Sequence, residues 1–111
     1  TNKRITARIG TTTSTATPSI DCGLYDQYNI TALATNITSV TITGTPTDGQ
    51  KLMIRIKGTA ARAIAWGASF VSSGVAVLPT TTVTTNTHLV GFMYDSVAAK
   101  WVCVAADSAG Y

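Results

Sequence analysis

The stretch TDGQKLMIRIKGTAARAIAWG, residues 47–67, decides the fold. It opens on an Asp-Gly turn signal and then alternates. Leu52, Ile54 and Ile56 fall on one side, and Lys51, Met53, Arg55 and Lys57 on the other. A period of two is the signature of a strand that buries one face and wets the other. The turn cluster GTPTDGQ before it supplies a proline-fixed dihedral and a glycine for positive φ. It predicts a hairpin joining SVTIT to KLMIRIK. Gly58 ends the alternation, and ARAIAWG reads as a further strand.

The same reading extends along the chain. KRITARIG alternates Ile5, Ala7 and Ile9 against Arg4, Thr6 and Arg8, and predicts a strand stopped by Gly10. TTTSTATPS reads as a polar loop or loosely held edge, which leaves residues 1–20 as the less firmly packed part of a single domain spanning 1–111. SIDCG, LYDQYNITAL and ITSVTITG supply short strands. THLVGFMYD and KWVCVAA form a second hairpin through DSVAA. About seven to nine short strands with a turn signal roughly every ten residues predict an all-β domain. The expected architecture is a two-sheet antiparallel β-sandwich of the jelly-roll kind.

Composition agrees. Threonine makes up about a fifth of the chain; it is stiff at χ1, suits strands and presents a hydroxyl to water. There is no glutamate, and charged residues are only 12% of the chain. The net charge of +3 is too mild for a nucleic-acid binder, which clusters Lys and Arg more strongly. No apolar run approaches the roughly 18 residues of a membrane span.

Chemistry-bearing motifs are few. The acids are Asp21, Asp26, Asp48, Asp95 and Asp107, most of them beside turn residues. His88 is the single histidine, which leaves no metal-ligand set, and it reads as an ordinary strand residue. No G-x-S-x-G, phosphate loop or dinucleotide fingerprint is present. Neither a catalytic residue nor a cofactor or metal site is expected, and a glycan hydrolase is the weakest reading. Cys22 and Cys103 read as small buried hydrophobes, with a disulfide between them as the alternative. Asn29-Ile-Thr31 and Asn36-Ile-Thr38 match the glycosylation pattern, a chance match in so threonine-rich a chain. Trp66 and Trp101 are expected core anchors.

Two sets of surface residues remain. Lys51, Arg55, Lys57 and Arg62 form a cationic set, read either as edge-protecting charges or as a contact with an anionic partner such as an acidic glycan or a neighbouring subunit. Tyr25, Tyr94 and Asp95 are candidate ligand contacts for a receptor- or carbohydrate-binding module.

The pieces ITALA, GTPTDGQKLMIRI, GTAARAIAWG, LPTTTV and VGFMYD with KWVCVA together resemble a small β domain that recurs in virion proteins of tailed bacteriophages. There it ends tail-fibre or tail-tip chains or stands alone as a surface protein. The resemblance runs from Ile30 to Ala105, about two thirds of the chain. It implies a non-enzymatic structural role in the virion, assembly as a homotrimer, and contact with other virion proteins. It also implies host-surface glycans as candidate partners and an extracellular particle put together in the host cytoplasm.

Overall fold

The computed structural model describes residues 6–111. Among them every regular element is a strand: β1 Ile9–Thr12, β2 Ser19–Asp21, β3 Gln27–Leu33, β4 Thr41–Thr43, β5 Lys51–Gly58, β6 Phe70–Val71, β7 Thr87–Asp95 and β8 Lys100–Ala106. They form a six-strand sheet, in the order β1-β3-β5-β7-β8-β6, and a two-strand sheet of β2 and β4.

β1, β3 and β5 are parallel neighbours, and so are β2 and β4. The chain therefore alternates between the sheets: β1, across to β2, back to β3, across to β4, back to β5. Parallel neighbours need a crossover, and here each crossover carries a strand of the other sheet where an α/β protein would use a helix. The third turn continues the pattern without a full strand. Ile37 bridges Ile64 in parallel, with the Ile37 N–H donating to Ala63 O and the Ala65 N–H to Ile37 O, both at 2.9 Å.

This winding corrects three expectations. Only β5/β7 and β7/β8 are antiparallel, so the sheets are not antiparallel throughout. SVTIT does not pair with KLMIRIK; β4 lies on β2, matching Ile20 to Ile42, while β5 lies between β3 and β7. ARAIAWG makes bridges at Ala63 and Ile64 instead of a strand. Alternation fixes which side chains face the core. It does not choose between a partner across a turn and one reached by a crossover through the other sheet. The β7/β8 hairpin forms as expected, as does the turn at Gly49, whose φ is +80°.

Gly10 lies inside β1 and does not terminate it. It pairs with Tyr28, and a Cβ at Gly10 would stand 2.7 Å from a Tyr28 ring carbon and 3.0 Å from Tyr25. The glycine is there because two aromatic rings occupy the space of its side chain. Arg4 and Ile5 of the expected first strand lie outside the described residues, and Thr6–Arg8 is not a strand. The threonine-rich segment that follows is tied to the second turn: Thr13 O accepts from the Ala32 N–H at 2.9 Å and Ala16 O from the Thr38 N–H at 2.8 Å.

One core serves both sheets. Ile20 of β2 belongs to the same buried cluster as Ile30, Leu52, Ile54 and Ile56. Its centre is aromatic. The rings of Trp66, Phe70 and Phe92 sit 5.0–5.4 Å apart, two of the three pairs edge-on, the arrangement favoured by the ring quadrupole. The Trp66 Nε1–H donates to Pro79 O at 2.7 Å, so its polar handle is satisfied. Trp66 and Trp101 are core residues as expected. Cys22 and Cys103 are buried and free, and burial pushes both thiols above their ordinary range.

Candidate functional site

β5 buries Leu52, Ile54 and Ile56 and turns Lys51, Met53, Arg55 and Lys57 to the outer face of the six-strand sheet, as its alternation predicts. The ladder register extends that face in rows. One row runs Ile9, Gln27, Met53, Gly91, Ala105 across five strands. The next towards the β7/β8 turn is Lys51, Met93, Val102. On the other side lie Thr11, Asn29, Arg55 and Leu89, then Lys57 with Thr87.

The two central rows are mostly apolar. Gly91 makes a floor: a Cβ there would meet the Met53 Cε at 3.4 Å and the Ala105 Cβ at 3.7 Å. The register slips next to Gly91, so that Ala105 and Cys103 oppose consecutive β7 residues and Val104 is extruded. Such a bulge re-aims side chains, and Val104 is left 44% exposed. A shallow trough of about 520 Å³ results, lined by Met53, Gly91, Met93, Val104 and Ala105 among others. It adjoins a second recess of about 390 Å³ bordered by Asp48, Asp95, Met93 and Val102. Both methionines of the chain stand on this band.

Charge differs between the two ends of the strands. Asp48 and Asp95, together with Lys51 and Lys100, stand at the end nearest the β7/β8 turn, and Arg55 and Lys57 at the opposite end, beside a recess of about 220 Å³ with Thr31, Thr87 and Tyr111. The Lys57 Nζ donates to Thr85 O at 2.6 Å. Among the described residues the one salt bridge is Arg8–Asp26, which leaves Lys51 and Arg55 without an acid partner there.

Each aspartate holds structure. Asp21 accepts from the Gly23 N–H, Asp95 from Val97 and Ala98, and Asp107 from Gly110, turn-capping bonds of the kind expected from Asp in turns. Asp48 accepts from the Ser96 N–H and so ties the turn before β5 to the β7/β8 turn. Asp26 takes both arms of Arg8, Nη2 on Oδ1 at 2.8 Å and Nε on Oδ2 at 3.2 Å, together with the Arg8 N–H. Hydrogen bonding from the Arg8 side chain, then from its backbone, lowers the Asp26 carboxyl to about 2. A depressed carboxylate adds stability above its unfolded value near 3.8, and that stability is lost as pH falls through about 2. Thermal unfolding between pH 5 and pH 2 tests this. Asp26→Asn is expected to flatten part of the acid slope, modestly, because the pair is exposed and screened by water.

The remaining candidate residues do not converge. Arg62 leaves the cationic stripe: its Nε donates to Leu33 O at 3.3 Å and its Nη2 to Thr59 Oγ1 at 2.9 Å, tying the segment after β5 to the end of β3. Tyr25 packs on Tyr28 at 5.9 Å, on the β1/β3 side. Tyr94 packs on Trp101 at 5.1 Å, beyond β5, on the β7/β8 side, where Asp95 caps the turn. Asn29 is only 6% exposed and accepts from Gln27 Nε2, so the first glycosylation match is occluded.

His88 lies in β7, a strand residue as its sequence context predicts, but it also makes two side-chain hydrogen bonds that the sequence does not announce. It is 1% exposed. Its Nε2 accepts from the Val83 N–H at 3.0 Å and its Nδ1 lies 2.9 Å from Asp107 O. The proton therefore sits on Nδ1, and the ring clamps the loop before β7 to the segment after β8. No group of three or more His, Cys, Asp or Glu among the described residues is placed to hold a metal, and no helix among them is long and apolar enough to cross a membrane. No family model, curated protein or solved structure matches the chain.

Proposed function

We propose that this chain is a non-enzymatic structural domain of a bacteriophage particle, on the virion surface or at a fibre tip, and that it assembles as a homotrimer. The observation that carries the reading is the apolar surface left open on a small, weakly charged protein. On the outer face of the six-strand sheet Met93 is 39% and Val104 44% exposed, over the trough lined by Met53, Gly91 and Ala105. Single exposed aliphatics are ordinary, but a contiguous patch of a few hundred Å² marks an interaction surface. The motif resemblance supplies the phage setting, and the threonine-rich strands and tied turns suit an exposed particle. We read the two sheets as the layers of a sandwich, wound in parallel.

Sedimentation equilibrium of the purified chain tests the assembly. A species of three chains of 11.5 kDa each is expected; a single chain persisting at high micromolar concentration overturns it.

A second reading, a receptor- or carbohydrate-binding module, is favoured by the basic recess at Arg55 and Lys57, whose hydroxyl neighbours Thr31, Thr87 and Tyr111 suit an acidic sugar. Glycan-array binding lost on Arg55→Ala supports it, and a blank array removes it.

A further inference from the structure

We infer that a second copy of this chain seats on the outer face of the six-strand sheet, with the end of one face that carries Asp48 and Asp95 abutting the basic end of the next. The inference rests on the oligomer proposed above and says where and how its protomers meet.

Three observations carry it. The first is the band itself, where Met53, Met93, Val102, Val104 and Ala105 stand over the Gly91 floor. Methionine side chains adapt their shape, and glycine and alanine allow close approach, so the surface suits packing against another sheet. The second is size. Six strands about 4.8 Å apart span about 24 Å, and eight residues at about 3.3 Å each span about 26 Å. That gives about 600 Å² before side-chain relief, near the ~800 Å² per partner of a stable interface. A small glycan would leave most of it uncovered.

The third is polarity. Asp48 and Asp95, with Lys51 and Lys100 beside them, lie at one end of the face, and Arg55 and Lys57 at the other, with the apolar rows between. A face with aspartates at one end and only cations at the other can complement itself when copies meet head to tail. A head-to-tail contact closes into a ring if its rotation allows. Three such faces can line a triangular prism whose strands cross the axis, so that each end bearing Asp48 and Asp95 meets a neighbour's basic end. An anionic glycan would need only the basic end.

The test compares the native chain with Met93→Asp, Val104→Asp and Arg55→Glu by sedimentation equilibrium, with circular dichroism to confirm folding. Met93 and Val104 are 39% and 44% exposed, so a polar residue at either is compatible with the fold, and two independent sites guard against one variant misfolding. Loss of the trimer in all three, with Val75→Asp in the 72–80 loop remaining trimeric, is the expected result. A trimer that survives Met93→Asp and Val104→Asp overturns the placement while leaving the oligomer standing. One that survives only Arg55→Glu overturns the head-to-tail arrangement. A monomeric native chain overturns the oligomer and this inference together. A native chain that binds heparin as a monomer, and loses it on Arg55→Glu, assigns the face to an acidic polysaccharide instead.

Discussion

Phe92→Ala is expected to lower unfolding stability by about 3–5 kcal/mol, the range for deleting a buried aromatic. Domains of this kind have roughly 5–15 kcal/mol in total, so the variant approaches the edge of folding. The reason is position as much as size. Phe92 is 1% exposed and touches both Trp66 and Phe70. Those two residues come from the long stretch between β5 and β7, whose regular pairing is limited to two bridges and the short β6. Removing the ring therefore frees that stretch from the sheet as well as opening a cavity. Urea denaturation followed by tryptophan fluorescence measures it. Phe92→Leu, which keeps most of the volume, is expected to lose clearly less. Equal, small losses in both variants would contradict the packing of Phe92 against Trp66 and Phe70.

His88→Ala is expected to lose about 3–5 kcal/mol, for a different reason. The substitution removes a buried ring and strands two backbone groups, the Val83 N–H and the Asp107 C=O. Each unsatisfied buried group costs about 1–3 kcal/mol. The damage is local to the clamp. Amide exchange is expected to accelerate at Val83 and at Tyr111, which pairs with Thr87 through both backbone groups at 2.9 and 3.0 Å. Nitrogen NMR of the native ring is expected to show the proton on Nδ1. A proton on Nε2 would contradict the clamp, because that nitrogen would then have no lone pair for the Val83 N–H.

Much of the fold was legible because strand alternation reports burial directly. Leu52, Ile54 and Ile56 were assigned inward and Lys51, Met53, Arg55 and Lys57 outward, and the burial along β5 follows that pattern. The β7/β8 hairpin was legible because its turn and both flanking runs are contiguous. The parallel winding was not. Ile20 and Ile42 pair in the two-strand sheet although β3 of the other sheet lies between them in the chain, and nothing local to either residue selects the other. Gly10 was misread because an isolated glycine looks the same whether it stops a strand or makes room for a ring. The candidate site was half legible: its cationic stripe came from β5 alone, whereas the apolar band needs the register of β5, β7 and β8 together. The role of His88 depends on two backbone groups remote in sequence, which no pattern around Thr87–Leu89 encodes.

The most direct test of the central claim uses the only two methionines. Selectively labelled methyl groups give one NMR signal each for Met53 and Met93, assigned by Met→Leu substitution. A water-soluble paramagnetic agent is then added to the assembled native protein. Both signals are expected to stay sharp, and the Met53 signal to broaden once Arg55→Glu separates the protomers. Strong broadening of both methyls in the native protein would mean that the outer face of the six-strand sheet meets water, and would contradict the account.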